Sequence, residues 1–286
     1  MSVLRQFGPF ELECFLAQGG VGVVYQAVDR VLQRPVAVKV LQPVWSENAE
    51  VVFQFKREAA MAALVTHPGV VRVYTTGEAF GMFYIAMELA EEGALDARME
   101  ARGRLPEAEV LEIFRQVTDG LAAAHRAGLI HRDIKPGNIL FARDGRVKIV
   151  DFGLALQGRL PAGTVPGGEL WGTPFYIAPE ILSGVGADFR SDMYALGSSM
   201  WHALVGEPPY PSQETSIPEL LEMKRHPVDV RKVLRGIHPR TAALLNRTVA
   251  FDAEDRYGSY EALLEDIDAA LERKGQGGRK GWFFGV

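Results

Sequence analysis

The sequence predicts an α+β chain of two lobes, strand-rich over residues 10–90 and mostly helical over residues 91–272. Three observations carry this reading. Residues 10–42 alternate short β-branched and aromatic runs with turns. From Glu91 onward apolar residues recur at helical spacing. Within that second half lies His131-Arg132-Asp133-Ile134-Lys135-Pro136-Gly137-Asn138, and Asp151-Phe152-Gly153 begins thirteen residues after the asparagine. A cleft between the two halves is the natural ligand site.

Residues 1–9 read as a terminal tail. Phe10–Leu16 is strand-like, Ala17-Gln18-Gly19-Gly20-Val21-Gly22 is a glycine-rich turn, and Val23–Ala27 is strand again. Glycine removes the side chains that would keep backbone N–H groups away from phosphates, although many such turns hold no ligand. Arg34–Leu41 is a third β-branched run and carries Lys39 between Val38 and Val40. A lysine buried there requires an anion beside it. Ser46–Val65 is a helix with Ser46 as its cap and Val51, Val52, Phe55, Ala59, Ala62 and Ala63 on one face. Glu58, on this helix, is the counter-charge that Lys39 calls for, whereas Glu47, Glu50 and Lys56 read as solvated. His67-Pro68-Gly69 breaks the pattern, Val70–Thr75 and Phe83–Glu88 are strands, and Glu91-Glu92-Gly93-Ala94 is a connector.

Pro106 opens a helix with Val110, Leu111, Phe114, Val117 and Leu121 on one stripe, ending at Ala127-Gly128. Ile139-Leu140-Phe141 and Val147 with Ile149-Val150 flank Asp144-Gly145 and form a hairpin. That hairpin gathers Asp133, Asn138 and Asp151, a set suited to Mg²⁺ and a base near a hydroxyl. The glycine- and proline-rich stretch after Gly153 is a functional loop that carries Thr164 and ends at Gly172-Thr173-Pro174 and Ala178-Pro179-Glu180. Helices resume around Ser191–Leu204, Pro218–Arg225, Arg240–Ala250 and Tyr260–Arg273. Residues 273–286 form a flexible basic-aromatic tail whose Arg279, Lys280 and Trp282 leave a membrane or partner contact open.

The chain has 286 residues, 48% of them hydrophobic, enough for two cores. A net charge of −5 gives no basic surface for nucleic acid. Cys14 is the single cysteine, so an internal disulfide is excluded and a reducing, cytoplasmic compartment is expected. As a small apolar residue it is expected to be buried. Met1–Phe10 lacks the pattern of a signal peptide, and no apolar run reaches membrane-spanning length.

In the order and spacing of these blocks the chain resembles the eukaryotic-type serine/threonine protein kinases, above all the bacterial members, over residues 10–272. The residues that carry it are Gly19-Gly20-Val21-Gly22-Val23-Val24-Tyr25, Val36-Ala37-Val38-Lys39, His67-Pro68-Gly69-Val70-Val71, and the two blocks around Asp133 and Asp151. The resemblance implies a bilobal kinase-like fold with ATP and Mg²⁺ between the lobes and a protein serine or threonine as acceptor. Lys135 together with Gly172-Thr173-Pro174 favours that acceptor over tyrosine.

Carried over by motif, Gly19 and Gly22 cover the phosphates, with Leu16 and Ala17 leading into the loop. Lys39, held by Glu58, meets the α- and β-phosphates, and Asn138 and Asp151 hold Mg²⁺. Asp133 is the base, and Lys135 sits by the γ-phosphate. Val24, Ala37 and Leu140 sandwich the adenine, backbone groups of Glu88 and Ala90 pair with its edge, and Met87 guards the back. Glu180 and Arg256 form a structural ion pair, and Asp192 anchors a helix.

Ala17 stands where the family has a first glycine, which fits if its φ is negative and implies at most a reduced nucleotide affinity; Ala94 replaces a polar ribose contact. Thr164 is the implied activating phosphosite, with Arg132 as its neutralising cation, and Thr173 positions substrate. Two other classes compete. A nucleotide-binding pseudokinase or scaffold is disfavoured by Lys39, Asp133 and Asp151, and a small-molecule kinase by Thr173-Pro174 and Ala178-Pro179-Glu180.

Overall fold

A computed structural model describes residues 6–152, 174–211 and 216–277, with side chains from 175 in the second stretch and to 272 in the third. Its first half is a six-stranded antiparallel sheet of β1 (Gln6–Phe7), β2 (Phe10–Gln18), β3 (Gly22–Asp29), β4 (Arg34–Leu41), β5 (Val73–Ala79) and β6 (Met82–Met87). Their order is β1-β2-β3-β4-β6-β5. Side chains alternate across a strand, and on β4 this decides where Lys39 points. Val36, Val38 and Val40 join Phe10, Leu12, Ala27 and Tyr84 on one face, while Ala37 and Leu41 meet Phe55, Ala59 and Met87 on the other. Lys39 has the parity of the second face, which α2 (Ala49–Ala62) covers.

The sequence and the structure differ locally for identifiable reasons. Residues 6 and 7, expected within the tail, form β1, because Phe7 is buried against the Tyr84 and Phe80 rings. Ser46 does not cap the long helix; it ends a separate turn, α1 (Pro43–Ser46). Asn48 caps α2, its carboxamide oxygen accepting from Glu50 N at 3.1 Å and Val51 N at 3.2 Å. Ala63, expected on the apolar face, lies past the helix end and is exposed. Cys14 is exposed rather than buried, because a register shift between Leu12 and Cys14 breaks the alternation of β2 as it leaves the core. Val70 and Val71 do not begin β5.

They bond instead to the second half, whose elements are α3 (Leu95–Arg102), α4 (Glu107–Arg126), β7 (Ile139–Phe141), β8 (Val147–Ile149), α5 (Pro179–Leu182), α6 (Phe189–Val205), α7 (Ile217–Arg225), α8 (Val230–Val233), α9 (Pro239–Thr248) and α10 (Tyr260–Gly277). Val70 forms a parallel bridge with Ile149, Val71 N donates to Ile149 O at 2.9 Å, and Ile149 N donates to Gly69 O at 2.8 Å. Gly120 of α4 makes this possible, since a Cβ there would lie 2.8 Å from Ile149 Cδ1 and 3.2 Å from Gly69 O. Pro106 is the cap rather than the first residue of α4, and Gly128 closes that helix at φ 77°. Buried along nearly all its length, α6 is the central post of the helical core, against residues of α4, α9 and α10. Among the described residues no helix is long and apolar enough to cross a membrane.

Candidate active site

Lys39 is 4% exposed, and its ammonium donates to Asp151 Oδ1 at 2.7 Å and Glu58 Oε1 at 3.1 Å. One cation thus joins a strand and a helix of the first lobe to the segment after β8 in the second. Burial works against the charged lysine, but Asp151 and then Glu58 outweigh it and raise its pKa above the ordinary value. Asp151 is likewise pushed up by burial, yet Lys39 prevails and holds its carboxylate below the usual range. For Glu58 the balance tips the other way, and burial raises it. Its Oε2 is buried without a hydrogen-bond partner among the described residues. Of the two carboxylates, Asp151 makes the shorter contact with the Lys39 ammonium.

Two turns of the site, at Arg132 and Asp151, are strained. Arg132 has φ 68° and Asp151 φ 63°, left-handed conformations that cost non-glycine residues energy and cluster at functional sites. Asp192, buried near the start of α6, accepts from His131 N and Arg132 N, each at 2.7 Å, and so fixes the Arg132 turn. Asp133 N donates to His131 Nδ1 at 3.2 Å, so the imidazole proton is on Nε2, which donates to Val150 O at 2.9 Å. The His131 ring packs on Phe152 with centroids 4.6 Å apart. Asp133 Oδ2 then accepts from Lys135 Nζ at 2.8 Å and Asn138 Nδ2 at 2.9 Å. The amide nitrogen of Asn138 is spent on Asp133, and among the described residues no hydrogen bond reaches Asn138 Oδ1 or Asp151 Oδ2. An amide oxygen and a carboxylate oxygen make a donor set that fits Mg²⁺, with phosphate and water oxygens to complete it.

The other residues named from the sequence are placed as follows. Ala37 is buried opposite Met87 in the β4–β6 register, and Val24 lies opposite Lys39. Ala94, the N-cap residue of α3, forms an antiparallel bridge with Leu140. Ala90 is partly buried in the connector. Leu16 is 43% exposed at the rim. Ala17 pairs with Val24 and is not among the non-glycine residues with positive φ, so it meets the condition set by its replacement of glycine. Gly22 is required for space instead: a Cβ there would lie 3.1 Å from Val40 O and 3.5 Å from Lys39 Cγ. Gly19 N donates to Gly22 O at 2.8 Å and closes the turn. Thr164 and Thr173 lie outside the described residues.

Lys148 escaped the sequence reading. It is 4% exposed on β8, and its ammonium meets Glu88 Oε1 at 2.6 Å, while Glu88 N donates to Arg72 O at 2.8 Å. The available signal was the one that singled out Lys39, a lysine inside an apolar strand. Away from the cleft, Arg256 pairs with both oxygens of Glu180 at 2.8 and 2.9 Å and donates to the carbonyls of Arg190, Ala250 and Phe251.

Residues 10–266 match the family described as protein kinase domain. The probable serine/threonine-protein kinase pknA2 of Bifidobacterium longum is 35% identical over 263 residues, which cover 91% of this chain and 35% of that protein. Serine/threonine-protein kinase PknL of Mycobacterium tuberculosis is 35% identical over 260 residues, 90% of this chain and 64% of PknL. PknE of Mycobacterium bovis is 35% identical over 93% of this chain and 47% of its own length. The chain therefore spans between 35% and 64% of the length of these relatives. A crystal structure of the Mycobacterium tuberculosis PknI kinase domain, 30% identical, superposes with a TM-score of 0.72 over 94% of this chain and 97% of that one. Matched in family over most of its length and in fold to a solved member, the chain belongs to the protein kinases, within the bacterial serine/threonine type.

Proposed function

We propose that this domain transfers the γ-phosphoryl group of Mg-ATP to serine or threonine hydroxyls of protein substrates. The observation that carries the reading is the double ion pair of Lys39 with Glu58 and Asp151, made while Asp133, Lys135 and Asn138 stand bonded together on the adjoining loop. Lys39 orients the α- and β-phosphates, and Gly19 and Gly22 let the loop lie over them. Asn138 and Asp151 would hold Mg²⁺, which would supply charge neutralisation at the transferring phosphoryl group. Asp133 accepts the acceptor hydroxyl's proton as its oxygen bonds to the γ-phosphorus and the bond to the ADP oxygen breaks. Lys135, already on Asp133, holds the γ-phosphate charge near the base. Positioning and electrostatics supply the rate, which is why strained backbone at Arg132 and Asp151 is anchored by Asp192 and Lys39.

Regulation by autophosphorylation at Thr164 belongs to the same reading, with Arg132 as the cation that a phosphate would neutralise. Thr173 and its neighbours serve the acceptor peptide, and the work is done in a reducing, cytoplasmic setting. The test uses purified protein with Mg-ATP and a generic protein acceptor, with Asp133→Ala as control. Transfer by the wild type alone supports the proposal. Nucleotide binding without transfer refutes it in favour of a nucleotide-binding scaffold. Mass spectrometry of active protein that finds no phosphate between Phe152 and Thr173 removes the regulatory part.

A further inference from the structure

The segment after β4 reaches back over the glycine turn. Gln42 Nε2 donates to Gly19 O at 3.3 Å, Trp45 Nε1 donates to Gly20 O at 3.2 Å, and Gln42 N donates to Val21 O at 2.9 Å. Three successive carbonyls of the loop are thus held by residues 42–45. Among the described residues every peptide is trans, and in a trans peptide the N–H points opposite to the C=O of the same plane. Fixing the carbonyls of Gly19, Gly20 and Val21 toward α1 therefore aims the N–H groups of Gly20, Val21 and Gly22 away from it. Successive N–H groups turned one way form an anion-binding concavity. The loop also sits close above the cationic side chain of the cleft, since a Cβ on Gly22 would meet Lys39 Cγ at 3.5 Å. Trp45 is itself anchored, packing half-buried with Val21 against the Ala37 and Leu41 face of the sheet.

We infer that Trp45 and Gln42 are positioning residues for the nucleotide: they hold the loop by its carbonyls so that its N–H groups are pre-aimed at the phosphates. The inference rests on the nucleotide-binding reading above. A preorganised cradle loses less conformational freedom on binding, and Ala17, which lacks the latitude of glycine, adds stiffness at the loop's other end. The two side-chain donors reach only the loop's carbonyls, while the ring of Trp45 packs in the apolar cluster that holds Ala37 and Met87, and Trp45→Phe keeps that packing.

That separation supplies the test. Trp45→Phe keeps the ring and removes the donor, and Gln42→Met keeps the length and removes the amide. Binding of Mg-ATP and of adenosine is measured by calorimetry on the full chain, alongside KM for ATP and kcat. Each single variant is expected to weaken Mg-ATP by about 3- to 10-fold, the loss of one hydrogen bond. The double variant weakens it further, adenosine binding stays unchanged, and KM moves more than kcat. Amide exchange at Gln42, whose N–H holds Val21 O, rises in both single variants. Wild-type affinity for Mg-ATP in the double variant overturns the inference, as does an equal loss of adenosine and Mg-ATP. Wild-type protein that binds neither ligand overturns the functional reading and this inference with it.

Discussion

Lys224 on α7 should set a pH dependence of folding stability that its replacement by methionine abolishes. It is 1% exposed; its ammonium donates to Tyr194 Oη at 3.0 Å and Phe175 O at 3.2 Å, and lies over the Tyr194 and Tyr210 rings. Among the described residues no carboxylate comes within ion-pair distance of it. Burial, and then Arg256, push its pKa down from 10.5 to about 7, with Glu180 opposing weakly. Each tenfold in proton affinity is worth about 1.4 kcal/mol, so holding this lysine charged in the fold costs about 5 kcal/mol. Between about 7 and 10.5 the unfolded chain binds the proton and the folded one does not, so stability rises with pH across that window. Urea unfolding of wild type and Lys224→Met from about pH 6 to about pH 9.5 measures this. The wild type should gain on the variant by up to about 1.4 kcal/mol per pH unit above about pH 7. At the acid end the variant should be the more stable, by about 5 kcal/mol less the about 1–3 kcal/mol that the lost hydrogen bonds contributed. Curves that stay parallel across the whole range refute the reasoning.

Arg256→Met leaves Glu180 without its cation and should destabilise the domain by about 3–5 kcal/mol, seen as a large drop in thermal midpoint. Gly197→Ala on α6 drives a Cβ to 2.7 Å from Thr248 Cβ and 3.1 Å from Val249 Cγ1. Parting α6 from α9 in this way should cost about 1–3 kcal/mol in urea unfolding. Asn48→Ala, which removes the cap of α2, should cost about 1 kcal/mol by the same measurement. Asp192→Ala frees the strained Arg132 turn, so the phosphoryl-transfer rate should fall by at least about tenfold while the dissociation constant for Mg-ATP holds. Both are read from one enzyme preparation.

Much of the site was legible because its chemistry conflicts with its setting. Lys39 inside a β-branched strand demanded an anion, and Glu58 was the helical carboxylate to supply it. The hairpin around Asp144-Gly145 was legible for a different reason, since a turn signal with apolar flanks fixes its register locally, and Ile139 pairs with Ile149. What escaped depended on distant partners. Val70 and Val71 have the composition of sheet strand, yet their backbone is claimed by Ile149 across the lobes. Ser46 and Asn48 are both capping residues, and only the turn begun at Pro43 decides between them. Trp45 carried no signal at all, because a partly buried tryptophan in a short turn looks like packing until its N–H is seen to find Gly20 O.

The bond between Val71 and Ile149 has a mechanical consequence. The chain crosses between lobes through Glu88–Ala94, and the bridge of Val70 and Val71 to β8 makes a second attachment on the lower lobe. Two attachments leave the lobes less freedom to twist against each other than a single connector would. Lys39 and Asp151 stand on opposite lobes, so their ion pair is the contact that any parting of the lobes at the cleft would break first.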